Sequence, residues 1–173
     1  MRRVIALLPA AAALVAACTS MTQAPPKFAA VLEPRSGSTV AGRITLTESG
    51  GQVRAHVDLT GFAPNSEHGF HVHDKGDCSA PDAASAGGHY NPGGGAHGRA
   101  GVAPHHAGDL PSLMADAQGR VRADVVLEGV TLAPGPTSIV GRSLVVHRDR
   151  DDFTSQPAGN SGPRVACGVI AAQ

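Results

Sequence analysis

Between His73 and the segment around Val121 the chain runs for more than forty residues without a hydrophobic period, opening on "DKGDCSAPDAASAGGHYNPGGGAHGRAGVAPHHAGDLPSL". A stretch so rich in Gly, Pro and His builds no core of its own. A compact domain holds it only where the stretch is functional or pinned. A second irregular stretch, "RDRDDFTSQPAGNSGP", follows His147. The segments around them read as short strands: "FAAVLE", "TVAGRITLTE", "QVRAHVDLTG", "GFHVH", "RVRADVVLEG", "SIVGRSLVVH" and "RVACGVI". They carry β-branched, alternating patterns bounded by Gly, Ser and Pro. "ESGGQ" at 48–52 predicts a hairpin turn. No segment shows a convincing helical period. The expectation is an all-β fold, an antiparallel barrel or sandwich with two long functional loops. Both loops leave strands that end in histidine, where a rigid scaffold would carry a site.

"GFHVH", residues 69–73, gives that site a first shape. Side chains on a strand alternate between faces. Phe70 and Val72 therefore point one way, and His71 and His73 the other. With the apolar pair facing a core, the histidine pair faces outward, within reach of a common point. That is a bidentate start for a transition metal, although one such pair alone also suits an ordinary half-buried strand. The chain has nine histidines. His56 falls on the polar phase of its strand and is expected at the surface, and His68 is placed to brace a turn. The rest, His71, His73, His89, His97, His105, His106 and His147, remain as candidate ligands, with Asp109 three after His106. "GGGAHG" at 93–98 is not a phosphate loop: no Lys-Ser/Thr follows and it joins no strand to a helix.

The N-terminus reads as separate from this domain. Arg2 and Arg3 precede "VIALLPAAAALVAAC", an apolar run too short and wrongly flanked for a membrane span, so residues 1–17 are expected to be a secretory signal. "VAAC" resembles a bacterial lipobox, which implies that Cys18 becomes the first mature residue and carries lipid. Residues 18–27 then form a lipidated, Pro-containing tether, and 28–173 the domain. Three cysteines is an odd count for an exported chain; with Cys18 assigned to lipid, Cys78 and Cys167 are expected to pair. Losing residues 1–17 removes two arginines and no acid, leaving 12 basic and 14 acidic residues, net −2. With no basic run and 3% aromatic residues, nothing points to nucleic acid.

Five motifs in order, "GFHVHDKGDCS", "GGHYNP", "HHAGDLP", "VVHRDRDD" and "QPAGNSGPRVACGVI", resemble the bacterial copper/zinc superoxide dismutases, over roughly residues 30–171. The resemblance implies a Greek-key β-barrel, a copper and a zinc ion at about one each per chain, and superoxide as substrate. It implies copper ligands at His71, His73, His89 and His147, and zinc ligands at His89, His97, His106 and Asp109, with His89 shared. The choice of His106 over His105 rests on the family's ligand lying directly before "AGD"; spacing alone leaves the two nearly even. Asp151 resembles the carboxylate that links a copper histidine to a zinc histidine, Arg164 the channel arginine, and Cys78 and Cys167 the family disulfide. The resemblance also implies a place on the periplasmic side of the bacterial envelope, with the outer membrane suggested by Thr19 after Cys18, as a monomer or a homodimer.

The donor chemistry agrees with two unlike sites. Three imidazoles and a carboxylate suit tetrahedral, closed zinc. Four imidazoles without a thiolate suit copper(II) with room for a small ligand. Arg148 and Arg150, flanking Asp149, depart from the family's usual small or acidic residues. They read either as an exposed loop of mixed charge or as extra positive potential at the channel mouth. Two other functions compete. A metal-holding protein without turnover would have been favoured by a missing ligand or arginine, and none is missing. A mononuclear zinc hydrolase leaves the loop histidines and Asp109 without a purpose.

Overall fold

A computed structural model describes residues 27–173. The expected signal at 1–17, Cys18 and nearly all of the tether lie outside the described residues. Ten strands follow in chain order: β1 (Phe28–Pro34), β2 (Ala41–Ser49), β3 (Gln52–Thr60), β4 (Glu67–His68), β5 (Phe70–His73), β6 (Leu113–Met114), β7 (Arg120–Leu127), β8 (Ser143–His147), β9 (Arg164–Val169) and β10 (Ala171–Ala172). A single 3₁₀ turn spans Ala84–Ala86. Among the described residues no helix is long and apolar enough to cross a membrane.

The main sheet is antiparallel, ordered β5-β8-β9-β1-β2-β3-β7, with β10 also on β1. Neighbours such as β5–β8, β9–β1 and β3–β7 are far apart in sequence, the crossovers of a Greek-key arrangement. The sheet curls around one core that includes Ile44, Leu46, Val57, Leu59, Phe70 and Leu144.

β3 shows how the pattern fixes the register. Val53, Ala55, Val57 and Leu59 are fully buried, and the residues between them are not. A one-residue slip would turn this whole set to water. His56 lies on the outer face as expected, with Nδ1 2.9 Å from Asp124 Oδ1 on the facing strand. The β2–β3 hairpin turns on Gly50 and Gly51, with φ of 60° and 76°. A two-residue turn that matches strand twist needs positive φ at both places, which glycine supplies without strain.

Two expectations need correction. The strand expected over 138–147 begins only at Ser143; Ser138 makes an isolated bridge with Thr131, and Ile139 to Arg142 form a turn whose Gly141 has φ of 80°. The histidine pair of "GFHVH" does not face water: all four residues of β5 are fully buried. The alternation is as expected, but the irregular segments cover the second face.

Those segments are pinned. The 74–112 segment is tied back to β5 by Val72 N–H to Gly108 O (2.9 Å) and by Tyr90 N–H to Val72 O (2.8 Å). Gly108 sits so close that a Cβ there would lie 2.3 Å from the Val72 carbonyl oxygen. Beyond it the chain returns as β6, a short strand the sequence pattern does not reveal, pairing with β4. The Cys78–Cys167 disulfide, 89 residues apart in sequence, fastens the same segment to β9.

Candidate metal centre

β5 and β8 run antiparallel, with His71 opposite Val145 and His73 opposite Ser143. His147 closes β8, and the 74–112 segment lays His89 beside His73 and Asp109 beside His71. Two groups result. His71, His73, His89 and His147 bring one ligand atom each within 4.8 Å of one another, and so do His89, His97, His106 and Asp109. His89 belongs to both. His105 joins neither; its Nδ1 donates to the His106 carbonyl (2.7 Å).

Hydrogen bonds decide which ring nitrogens are free. A carbonyl can only accept, so the 2.9 Å contact of His73 Nδ1 with Gly87 O places the proton on Nδ1. The 3.1 Å contact of His147 Nδ1 with Gly162 O does the same. Their Nε2 atoms then face each other at 3.3 Å, lone pair against lone pair. His71 donates from Nε2 to Asp151 Oδ2 (2.7 Å), which leaves its Nδ1 buried without a partner. His89 turns Nδ1 to Asp109 Oδ1 (2.8 Å), and its Nε2 is buried and unpartnered as well. Buried orphan acceptors are costly, and converging ones ask for a cation.

The second group makes the same demand. Nδ1 of His89, His97 and His106 lie 2.8, 2.9 and 3.2 Å from the single oxygen Asp109 Oδ1. His97 donates its Nε2 proton to Asp151 Oδ1 (2.9 Å), so its Nδ1 presents a lone pair to a carboxylate. Asp109 Oδ2 is held by the backbone N–H groups of Gly98 and His106 (3.0 and 2.8 Å). Three imidazoles and a carboxylate around one point fit zinc; four imidazoles fit copper.

The electrostatics favour neutral rings at His71, His73 and His147 and an ionised Asp109. Burial, reinforced by His89 and His147, pushes His71 well below the ordinary histidine range. Burial and the same neighbouring rings, with Arg164, do the same to His73. Burial lowers His147 to about 4, with His89 and Arg164 adding to it against the pull of the Gly162 carbonyl. Burial alone would raise Asp109. Hydrogen bonds from His89, Gly98 and His106 outweigh it and hold the carboxyl well below the usual carboxylate range. Metal ligation needs these same protonation states.

Other residues hold the ligands in place. Asp151, 2% exposed, joins His71 to His97 and so couples the two groups. Gln156 clamps His97 from both sides: Oε1 accepts from its N–H (2.8 Å), and Nε2 donates to its carbonyl (3.0 Å). His68 donates from Nδ1 to the His147 carbonyl (2.9 Å), a larger part than bracing a turn. Sequence reasoning misses Gln156, because 59 residues separate the partners and nothing local marks the pair.

The four-histidine group borders a cavity of about 310 Å³ lined by His73, His89, His147, Ala158 and Arg164, and His106 of the second group reaches the same cavity. Arg164 donates to the carbonyls of Ala83 and Gly87, both at 2.6 Å, so its head is fixed beside the opening. Gly87 O thus serves both Arg164 and His73. Arg148 and Arg150 do not line this cavity, and Arg148 is paired with Asp149 (2.9 Å), as the mixed-charge reading expects.

Fold and site together define a β-sheet metalloprotein with two joined centres that share His89, the four-histidine one bordering a cavity with Arg164 at its edge. Residues 40–170 match the family described as copper/zinc superoxide dismutase (SODC). The chain is 42% identical over 135 residues to superoxide dismutase [Cu-Zn] 2 of Aquifex aeolicus, covering 76% of this chain and 79% of that one. It is 41% identical over 149 residues to superoxide dismutase [Cu-Zn] of Cordyceps militaris, covering 82% of this chain and 96% of that one. Among solved structures, a double mutant of a SOD-like protein from Bacillus subtilis superposes with a TM-score of 0.76 at 36% identity, over 83% of this chain and 96% of that one. The chain belongs to the copper/zinc superoxide dismutase family.

Proposed function

We propose that this chain converts two superoxide anions and two protons into dioxygen and hydrogen peroxide, with copper held by His71, His73, His89 and His147 and zinc by His89, His97, His106 and Asp109. The observation that carries the assignment is His89, whose two ring nitrogens serve the two groups. Bound there, copper supplies one-electron chemistry in both directions while zinc supplies a fixed charge that orders the ligands. The remaining work falls to side chains. Arg164 attracts the anion into the cavity and orients it by charge-assisted hydrogen bonding. His89 holds a proton at Nε2 in one half of the cycle and releases it in the other. Asp151 keeps His71 and His97 in the tautomers their roles require.

Metal analysis with a superoxide-consumption assay tests this reading. The expected result is copper and zinc near one each per chain and rapid consumption. Two zinc ions, no copper affinity and no activity after copper loading would overturn it.

The same reading places the domain 28–173 in the cell envelope, on the periplasmic side, where it removes superoxide. Residues 1–17 direct export, Cys18 carries the lipid and residues 18–27 tether the domain at the outer membrane. The charged-then-apolar start and the "VAAC" ending support this. Cys18→Ser is expected to leave the detergent phase and keep full activity. A variant that still partitions with detergent removes the anchor.

A further inference from the structure

Away from the copper mouth, a second cavity of about 390 Å³ is lined by Glu67, Arg99, Ser112, Arg150, Asp152 and Phe153. Asp151, whose carboxylate joins the two metal groups, also borders it. Arg99 comes from the zinc-side segment, two residues after His97, and Arg150 from the segment after β8. The cavity therefore lies where the two long loops meet.

Its arginines differ from several on this surface, although not from Arg43 or Arg54, which also lack a carboxylate partner among the described residues. Arg148 is paired with Asp149 at 2.9 Å and Arg142 with Asp74 at 2.7 Å. Among the described residues neither Arg99 nor Arg150 pairs with a carboxylate. Arg99 is held at 4.0 Å over the Phe153 ring, which fixes a guanidinium in place without neutralising it. The Ser112 hydroxyl is buried with no hydrogen-bond partner.

The lining carries three carboxylates beside its two guanidinium groups, and two of those carboxylates, still ionised, are turned to hydrogen-bond donors outside the cavity. Asp152 Oδ1 accepts from the N–H groups of Thr154 and Ser155, and Oδ2 from Ser155 Oγ and Asn160 Nδ2. Asp151 is taken by His71 and His97. Glu67 alone among the lining acids has no side-chain partner among the described residues.

We infer that this cavity binds a phosphoryl group, as free phosphate or a small phosphate monoester, between Arg99 and Arg150 with Ser112 as a third donor. Two guanidinium groups on separate chain segments plus a hydroxyl surround a tetrahedral oxyanion better than a flat carboxylate. The volume exceeds what one phosphate fills, so a monoester with a short polar body fits as well. Occupancy would join the zinc-side loop to the loop carrying Asp151, with neither a metal ligand nor the Arg164 mouth taking part. The inference does not depend on which metals fill the two centres.

Calorimetric titration of the folded, metal-loaded protein tests it. Arg164→Ala serves as the background, so that the channel guanidinium does not compete. Inorganic phosphate, glycerol 3-phosphate and acetate are titrated in turn at low ionic strength. Both phosphates are expected to bind saturably, and acetate much more weakly. Replacing Arg99 and Arg150 together by Ala should weaken phosphate at least about tenfold. Glu67→Gln should tighten it by removing the competing acid. Arg148→Ala, outside the cavity, should leave it unchanged. Tighter glycerol 3-phosphate supports the site and identifies an organic monoester as its occupant; equal affinities support it with free phosphate. No saturable phosphate binding, acetate as tight as phosphate, or equal weakening by Arg148→Ala would overturn the inference.

Discussion

Along β3 every second side chain is buried and the others reach solvent; along β8 all five are buried. The two strands belong to one sheet, yet their outer faces differ. The outer face of β3 and its neighbours β2 and β7 carries ordinary surface groups such as His56 and Asp124. The other face of β5 and β8 carries His71, His73 and His147 under two loops with little hydrophobic content. One half of the molecule is held by apolar burial. The other depends on polar networks: converging imidazoles, Asp109, Asp151 and the disulfide. A buried polar network stabilises only when every member is satisfied. The unpartnered His71 Nδ1 and His89 Nε2 show that protein atoms alone do not satisfy this one.

Metal removal should break the comparison most sharply. Chelation is expected to lower the melting temperature by roughly 20 °C or more, because metal binding energy becomes folding energy. Hydrogen exchange should show 74–112 and 148–163 losing protection while β2, β3 and β7 keep theirs. Uniform loss across both halves would contradict the division. Acid should deepen the loss in the metal-free protein. His147 is lowered to about 4 from an ordinary 6.5, so between those values the unfolded chain binds more protons than the folded one. Its contribution is complete above about pH 6.5 and fades as pH falls towards about 4. Melting measured across that range checks the sign.

Opening the Cys78–Cys167 bridge should have the next largest effect. A loop of 89 residues corresponds to at most about 4–5 kcal/mol in the chain-entropy model. The loss should come with lower activity, because the bridge fastens the segment whose Ala83 and Gly87 carbonyls hold Arg164. Identical melting of the oxidised and reduced metal-bound forms would count against this.

Two arginines then sharpen the comparison within the polar half. Arg164→Glu should keep copper yet lower kcat/KM more than about tenfold, or about 1.4 kcal/mol, with the salt dependence weakened or reversed. Full efficiency at low ionic strength would remove Arg164 as the guide. Arg148→Ala should change kcat/KM by less than about twofold, since an exposed pair contributes little. A large loss there would extend the steering field beyond the cavity.

Much of this was legible in the chain. The alternation at 52–60 gives β3 its register and its buried face, because period two has only one solution once a core exists. "ESGGQ" gives the hairpin, because only glycine is at ease with both positive φ values. The order of the histidine motifs points to the family. The bounds of β8 were not legible, since apolar residues at 138–142 look like strand until Gly141 turns the chain. β4 and β6 are too short to leave a pattern.

By itself the sequence determined the all-β class, the inner face of the sheet, the two irregular loops and the inventory of donors, since these follow from periodicity and composition. The tertiary structure decided which surface each donor meets. It turned an outward-facing His71–His73 pair into a buried one by laying residues 74–112 across it. It brought His106 rather than His105 to Asp109, and Gln156 to His97. It set Arg164 at the mouth and left Arg148 outside. For the distant partners the physical reason is separation along the chain: residues 54 to 81 apart, such as His97 with Asp151 and Ala83 with Arg164, meet only after the sheet has curled and the loops have closed over it.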